Sequence, residues 1–517
     1  MVNRLRYLLL AGYLLMGAVS SASASEVHAD AKTPDHYPTA PAQFRATYES
    51  LKLPQGEKMG LMGGTFLYDI NNWLSLGGGG YGALAGQRGG FITIGAAAEL
   101  HRQLGEHVRV NTGLFVGAGG GRGGYTLQGG GLMLRYHMGA ELMTNGLGRI
   151  GGGISYVDFP DGAIHSFQPY ISYSYPFEAL VLPGWVSFSG GESGTRGNLP
   201  IAEQEFSVVY RRYSIPAGVL TDNGAPQHRS MGLAGVEWDR YLGDHLYMKV
   251  ESEGAMQGKS NGYMQILIGA GLRLPLWDGG WLKFSGALGP AGGGAVATGG
   301  GLLLDGQLAF QQKLSDHLFA QAGLGYVVSP GASFRARSVS ASMGYHFFSP
   351  DVQGDSVDAA DLAGYQAHHF RIRLVNQRYL KGAPNWRAHH ANLNVDLLGF
   401  QLDYFINDWF YLSGQGIGAY RGMGGGYMTG LVGAGLHLPV PGTPLFVEAD
   451  ALVGAAGGGG LGVGGGLVWQ SDAGIGWRLS DAFSVQASYG VMQAAKGTMK
   501  AKVLSLSLGY LFTLPVL

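Results

Sequence analysis

The amino-acid sequence predicts an all-β fold of transmembrane antiparallel β-barrels, with about 24 strands in three eight-stranded units. Three observations predict this fold. Apolar residues recur with a period of two over long segments, short polar turns alternate with longer glycine-rich connections, and the whole pattern occurs three times. Open sheets are excluded inside a lipid bilayer, because an unpaired strand edge leaves backbone groups without hydrogen bonds there.

Composition excludes several other classes of protein. Glycine accounts for 92 of the 517 residues, about 18%, whereas about 7% is usual. Glycine does not recur at every third position, which excludes collagen, and the 46% of hydrophobic residues disfavours a disordered linker. The net charge of −1 leaves no basic surface for nucleic acid, and the lack of cysteine excludes disulfides and cysteine metal sites.

The N-terminal segment has the pattern of an export signal. Arg4 and Arg6 precede the apolar stretch Tyr7–Val19, and the small residues Ala22-Ser23-Ala24 follow it. The apolar stretch is shorter than the roughly 20 residues that a membrane-spanning helix needs. We therefore expect residues 1–24 to be a signal peptide and residues 25–43 to be an N-terminal periplasmic segment.

Three domain-sized units follow along the chain. Each unit opens on a strand that starts with phenylalanine, contains two glycine clusters and ends on a strand with a terminal aromatic residue. Longer stretches containing proline, glycine and charged residues join the units, as is typical of linkers. The predicted order is unit 1 (44–178), linker (179–205), unit 2 (206–349), linker (350–369) and unit 3 (370–517).

Inside a unit, the residues alternate with a period of two, and the clearest segments have one face that is apolar throughout. In the segment from Tyr263 to Leu274, the even-numbered residues are Met, Ile, Ile, Ala, Leu and Leu, whereas the odd-numbered residues are Tyr, Gln, Leu, Gly, Gly and Arg. This alternation lasts about 12 residues, and membrane strands need about 9–11, whereas soluble strands are usually 5–6 residues long. Secreted β-sandwiches, the alternative, have shorter strands and more charge than 13% of residues.

The last strand and two turns carry a family resemblance. The strand LSLSLGYLF (Leu504–Phe512) resembles the closing strand of bacterial outer-membrane β-barrel proteins, although five more residues follow it. The turns at Leu314–Leu318 and Leu479–Phe483 resemble those of small eight-stranded members. This resemblance implies a location in the cell outer membrane, with outer-membrane lipid as partner and the outer-membrane assembly machinery as partner during biogenesis.

Two arrangements of these strands remain open at this point. The long joins and the closing strand of each unit favour three narrow barrels, whereas amplified hairpins commonly close into one wide barrel. Narrow barrels have interiors that side chains can fill. The candidate lumen charges are Lys249, Glu251, Glu253, Lys283, Glu448 and Asp450.

Aromatic residues near the short turns predict contacts with the lipid headgroup boundary. Tyrosine and tryptophan side chains favour that boundary because one end of the ring is apolar and the other is polar. The candidate interfacial aromatic girdle consists of Trp73, Tyr247, Trp281, Trp409 and Phe446.

No catalytic, cofactor-binding or metal-binding residue is predicted. The glycine run after Gly117 contains G-x-G-x-x-G, but it lies between two strands and therefore lacks the helix that cradles a phosphate. Within each of the pairs His368-His369 and His389-His390, the two side chains point to opposite faces of a strand, so neither pair can chelate a metal from within a strand. Ser340, Ser342 and His346 leave open a lipid-modifying hydrolase.

The function expected from the sequence is that of an integral outer-membrane β-barrel protein with a structural or passive-transport, porin-like role. The alternative is a surface or partner-binding protein that acts through its glycine-rich loops. A lipid-modifying hydrolase is the third hypothesis.

Overall fold

The computed structural model describes residues 35–144, 148–187, 199–381, 385–387 and 393–517. The signal peptide predicted at residues 1–24 lies outside them. The strands form three closed antiparallel barrels of eight strands each, which confirms the predicted fold class and answers the question of one wide barrel or three narrow ones. Among the described residues, no helix is long and apolar enough to cross a bilayer, a finding that does not concern strands.

Barrel 1 follows a short strand, β1 (His36–Pro38), and contains two short helices, a 3-10 turn (Pro54–Gly56) and α1 (Gly124–Gln128). Each strand pairs with its sequence neighbour, and the first pairs with the last. The eight strands are β2 (Ala40–Lys52), β3 (Lys58–Asp69), β4 (Leu74–Ala85), β5 (Ile92–Leu104), β6 (Val108–Gly120), β7 (Leu132–Thr144), β8 (Gly148–Asp158) and β9 (His165–Ala179).

Barrel 2 has the same up-and-down order and follows the short strand β10 (Leu182–Pro183). Its eight strands are β11 (Ile201–Ser214), β12 (Ser230–Tyr241), β13 (Leu246–Gln257), β14 (Met264–Trp277), β15 (Gly280–Gly292), β16 (Leu302–Lys313), β17 (Leu318–Val328) and β18 (Arg335–Pro350).

Barrel 3 follows the short strand β19 (Ser356–Asp358) and a 3-10 turn (Ala359–Leu362). The pairing of its last strand with both its first and seventh strands closes the barrel, and β10 adds to the last strand from outside. Its eight strands are β20 (Gln366–Lys381), β21 (Val395–Phe405), β22 (Phe410–Arg421), β23 (Met428–Pro439), β24 (Leu445–Gly457), β25 (Leu467–Arg478), β26 (Phe483–Ala494) and β27 (Lys500–Val516).

Side chains alternate between the inside and the outside of each barrel. In β14, Gln265 and Leu267 are fully buried inside barrel 2, whereas Leu272 and Leu274 are exposed on its outer face. Glycines on the inner face make room for large neighbours. Gly271 is paired with Tyr247 in β13, and a Cβ on this glycine would overlap the tyrosine ring.

Each barrel has two distinct ends. Its short-turn end, here called the mouth, carries the short polar turns and the places where the chain enters and leaves. The predicted linkers are partly packed there, because their apolar residues form a small core with the segment before β2, and β1 pairs with β19. The buried members of this core are Tyr37, Leu180, Leu182, Val352, Val357, Leu362 and Tyr365.

The three barrels form a closed ring of three. The third strand of one barrel packs against the fifth strand of another in all three pairs: β4 on β15, β13 on β24 and β22 on β6. The contact is therefore of the same heterologous kind each time, and after three steps it closes, as in a cyclic trimer. One chain thus builds a ring with approximate threefold symmetry.

Six glycines at the ends opposite the mouths join the barrels to one another, and we call them the glycine collar. The collar consists of the neighbouring pairs Gly90–Gly293, Gly262–Gly458 and Gly426–Gly121. The first member of each pair has a φ of +82° to +87°, which favours glycine, and backbone bonds such as Gly90 N to Ala291 O (3.1 Å) cross the contact. The glycine clusters therefore hold the barrels together as well as shaping their rims.

Candidate functional site: the lumens and the mouths of barrels 2 and 3

All six charged residues proposed for the lumens lie inside the barrels. Lys249, Glu251, Glu253 and Lys283 project into barrel 2, and the other two, Glu448 and Asp450, project into barrel 3. Glu251 is fully buried, and Asp450 is the most exposed of the set at 8% of its side chain. The six residues belong to larger networks whose other members the sequence reasoning did not single out.

Arg211 is the centre of the network in barrel 2. Its side chain is fully inaccessible, and its guanidinium lies 2.5 Å from Asp305 Oδ2, 2.9 Å from Glu251 Oε2 and 2.8 Å from Glu253 Oε1. A buried charge needs such partners, because removing it from water costs several kcal/mol. The sequence pattern of β11 could have identified Arg211 as a lumen residue, because Arg211 alternates with outward-facing residues of the same strand.

Two lysines extend the same network toward the mouth. Lys283 donates to Asp239 Oδ2 at 2.6 Å and to Glu205 Oε2 at 2.9 Å, and Lys249 lies 2.8 Å from Glu237 Oε2. The lumen of barrel 2 is therefore crossed by buried ion pairs along much of its length.

The other two barrels carry networks of the same kind. In barrel 1, Arg45 lies 2.9 Å from both Glu99 Oε1 and Glu141 Oε1. In barrel 3, Arg371 donates to both oxygens of Glu448 at 2.7 and 3.0 Å, and its Nε donates to Asp403 at 2.9 Å. Such bidentate arginine–carboxylate bonds are geometrically specific.

Each lumen is blocked by the ion-pair network and, at its collar end, by a layer of apolar side chains. Phe91 and Phe159, from two connections of barrel 1, have ring centroids 5.7 Å apart and are fully buried among inward-facing strand residues. Phe334 closes barrel 2 and Trp386 closes barrel 3 in the same way. Each lumen thus contains an apolar layer next to a layer of bonded charges.

The outer faces of the barrels are apolar. Residues such as Ile171, Leu324 and Leu506, one from each barrel, expose more than half of their side chains. Trp73 and Trp409 are also exposed, at 51% and 65%, and both lie in short turns as expected for a girdle.

Three of the girdle assignments need correction. Tyr247 and Phe446 are 2% and 3% exposed and lie inside barrels 2 and 3, and the half-buried Trp281 also faces the lumen of barrel 2. Each is the second residue of its strand, a position that points inward here. Proximity to a turn therefore did not determine the direction of the side chain, whereas the strand phase did.

The mouth of barrel 2 contains a cavity of about 830 Å³. Its Arg273 guanidinium donates to Glu203 Oε2 at 2.8 Å and lies 3.9 Å from the centroid of the Tyr241 ring. Its walls combine apolar and charged side chains, principally Arg273, Trp281, Lys313, His346, Phe348 and Leu517.

A histidine and two glutamates in this cavity have the spacing of metal ligands. Glu203, Glu205 and His346 each place a ligand atom within 4.8 Å of the others. However, His346 Nε2 already lies 2.9 Å from Glu203 Oε1, and Arg273 and Lys283 bond the two carboxylates. These cations repel a metal ion at the same place, so the donor set does not assign a metal.

The residues considered for a hydrolase do not form a catalytic pair. Ser342 and His346 both face the lumen of barrel 2, but they are four positions apart on an extended strand, which separates their Cα atoms by about 13 Å. The imidazole bonds Glu203 rather than a serine. The pair His368 and His369 bonds Tyr404 and Thr513, and His389-His390 lies outside the described residues.

An indole from the first linker occupies the mouth of barrel 3. The Trp185 ring lies 4.6 Å from Phe405 and 5.8 Å from His437 between ring centroids, and the Arg478 guanidinium lies 5.5 Å from it. The strand β10 holds this segment on β27, where Gly184 N donates to Leu511 O at 2.9 Å. The sequence reasoning placed this residue in a linker and missed its contact.

No family model and no curated protein matches the sequence. Among solved structures, the siderophore receptor PirA from Acinetobacter baumannii is similar at 10% identity over 93% of this chain and 81% of that chain, with a TM-score of 0.28. A mutant of the ferric enterobactin receptor PfeA from Pseudomonas aeruginosa, in complex with enterobactin, is 9% identical over 93% and 82% (TM-score 0.26). OpdQ from Pseudomonas aeruginosa is 12% identical over 92% and 97% (TM-score 0.20). Such low TM-scores transfer no function to this chain.

Proposed function

We propose that this protein is an integral outer-membrane protein whose three barrels cross the lipid bilayer with closed lumens, so that its role is structural rather than porin-like. The observation that carries this proposal is that each lumen is blocked twice, by a network of buried ion pairs and by an apolar layer at the collar end. A solute would have to displace both an apolar layer and a network of buried ion pairs such as that around Arg211. Breaking a buried pair costs several kcal/mol, which opposes passage.

The distribution of polarity supports the membrane part of the proposal. Charged side chains fill the lumens, whereas large apolar residues such as Leu324 are exposed on the outside. In water, so many exposed apolar side chains would drive association of the protein, whereas in a bilayer they contact acyl chains. The barrel strands contain 11 to 17 residues, enough to span a bilayer at a tilt.

The location rests on the sequence. The export pattern of residues 1–24 and the closing strand ending at Phe512 favour the outer membrane, with the short turns on the periplasmic side. Contact with the assembly machinery during biogenesis follows from the same closing strand and stays a prediction.

Recognition through the glycine-rich loops is the less favoured alternative. In the part of the chain that the structure describes, the collar glycines contact neighbouring barrels, as at Gly90 and Gly293. A loop that is used in a contact within the chain offers less surface to a partner.

Conductance in a planar bilayer tests the proposal. The purified full-length protein should insert without producing conductance steps of porin size, and Trp185→Ala should stay silent too, because the Arg371 network remains below that indole. Steady ohmic steps from the unmodified protein would contradict the closed lumens. If the folded protein stayed monodisperse in buffer without detergent, the membrane location itself would be wrong.

A further inference from the structure

The segments that follow the last strands of barrels 1 and 3 both cross to a neighbouring barrel. After the last strand of barrel 1, it crosses to barrel 3, where Leu182 pairs with Thr513 of β27. After the last strand of barrel 3, it crosses to barrel 2, where Leu517 N donates to Phe348 O at 2.9 Å. Both segments thus lie against the last strand of the next barrel in the ring, next to its mouth.

The mouths of barrels 2 and 3 are built from corresponding positions. Arg273 and His437 follow the collar glycines Gly262 and Gly426 by the same number of residues, on the fourth strand of each barrel. The remaining correspondences are Tyr241 with Phe405, Trp281 with Phe446, and Lys313 with Arg478. In each mouth, aromatic rings therefore lie beside a cation.

Barrel 3 shows what such a mouth holds. The indole of Trp185 lies against Phe405 and His437, and the Arg478 guanidinium is within reach of a cation–π contact at 5.5 Å. The backbone of Leu182 and Pro183 pairs with β27, so an extended segment delivers the ring.

We propose that the mouth of barrel 2 is a binding site for a planar aromatic group that carries a ring N–H or O–H donor. The cavity of about 830 Å³ lies within the range of small-molecule sites. Trp281 supplies an aromatic wall, Lys313 supplies the cation, and the carboxylates of Glu203 and Glu205 can accept a hydrogen bond from the ring. This site does not depend on whether the lumens conduct.

The ring can belong to a free small molecule or to an aromatic side chain of an extended peptide. Two probes distinguish these sources: free indole, and the pentapeptide Leu-Pro-Gly-Trp-Val, which copies residues 182–186. Titration calorimetry of the full-length protein in detergent should show one binding site. Indole binding indicates a small molecule, whereas binding of the peptide alone indicates a segment, and a peptide with alanine in place of tryptophan should not bind.

Two variants locate the binding site. Trp281→Ala should weaken binding at least tenfold, whereas Trp277→Ala, on the outer face of the same hairpin, should leave it unchanged. Trp185→Ala should raise the number of peptide sites from one to two by opening the mouth of barrel 3. Binding that appears only in this last variant, or that Trp281→Ala does not weaken, overturns the proposal.

A crosslinking measurement keeps the test valid if Trp281→Ala does not fold. The peptide is made with benzoylphenylalanine at its tryptophan position and irradiated with the unmodified protein. Crosslinks should map to β11, β14, β15, β16 and β18, which line the cavity. Crosslinks confined to barrel 3, or none at all, refute the site in barrel 2.

Discussion

Alanine at Gly82 should push two barrels apart. Gly82 lies on the outer face of β4 and contacts Pro290 of β15 in barrel 2. A Cβ added to Gly82 would lie 2.5 Å from Pro290 Cγ, about 1 Å closer than carbon atoms approach without repulsion. Neither the proline ring nor the strand can turn aside, so the barrels themselves have to move.

The expected cost is that of overpacking, about 1–3 kcal/mol. Alanine at two other outer-face glycines provides a series in which the contact becomes progressively weaker. A Cβ on Gly254 would lie 3.0 Å from Ala455 Cβ across the contact between barrels 2 and 3, whereas a Cβ on Gly306, which is exposed on β16, would have no atom within 4 Å. Alanine at Gly306 should be neutral or stabilise the strand by about 0.5–1 kcal/mol, because glycine loses more backbone entropy on folding.

Equilibrium unfolding in urea, followed by tryptophan fluorescence in lipid vesicles, measures this series. The midpoints should fall in the order Gly306→Ala, Gly254→Ala, Gly82→Ala, with the first at or above that of the unmodified protein. Equal midpoints for Gly82→Ala and Gly306→Ala would refute the contact, because the two changes add the same methyl group to an outer face.

Three further predictions concern the charged groups. Arg211→Leu should destabilise the protein by about 3–5 kcal/mol, because it leaves buried carboxylates without their cation. The control Arg335→Leu, at an exposed position, should change the free energy of unfolding in urea by less than about 0.5 kcal/mol, and similar midpoints for the two variants would contradict the network. Burial raises the pKa of Asp222, although Arg122 beside it acts in the opposite direction, so its carboxyl stabilises the fold at low pH and loses that contribution as pH rises through the folded pKa. The melting temperature of Asp222→Asn minus that of the unmodified protein should therefore increase from pH 3 to pH 7. A decrease in this difference over the same range would show that the ion pair with Arg122 dominates. Zn²⁺ or EDTA should leave the melting temperature unchanged, because the carboxylates near His346 already bond an arginine and a lysine; a rise with Zn²⁺ that His346→Ala abolishes would show a metal site.

Much of the lumen was accessible to sequence reasoning because strand phase is a local property. Residues two positions apart on a strand point to the same face, so the alternation of Lys249 and Glu251 with the apolar Met248 and Val250 was enough to place both inside. Arg211, the partner of Glu251, lies 40 residues from it in the chain, and no local pattern links the two. The networks therefore needed the register of the closed sheet.

The sequence by itself determined the alternation and the threefold repetition, because both are local patterns of residues, whereas the pairing of the first and last strand of each unit showed that the units close as three separate barrels. Only the tertiary structure decided that Gly82 meets Pro290, that the ring closes after three barrels and that Trp185 enters the mouth of barrel 3. The physical reason is that glycine permits a close approach without specifying the approaching surface. The partner at such a contact emerges only when all three barrels pack together.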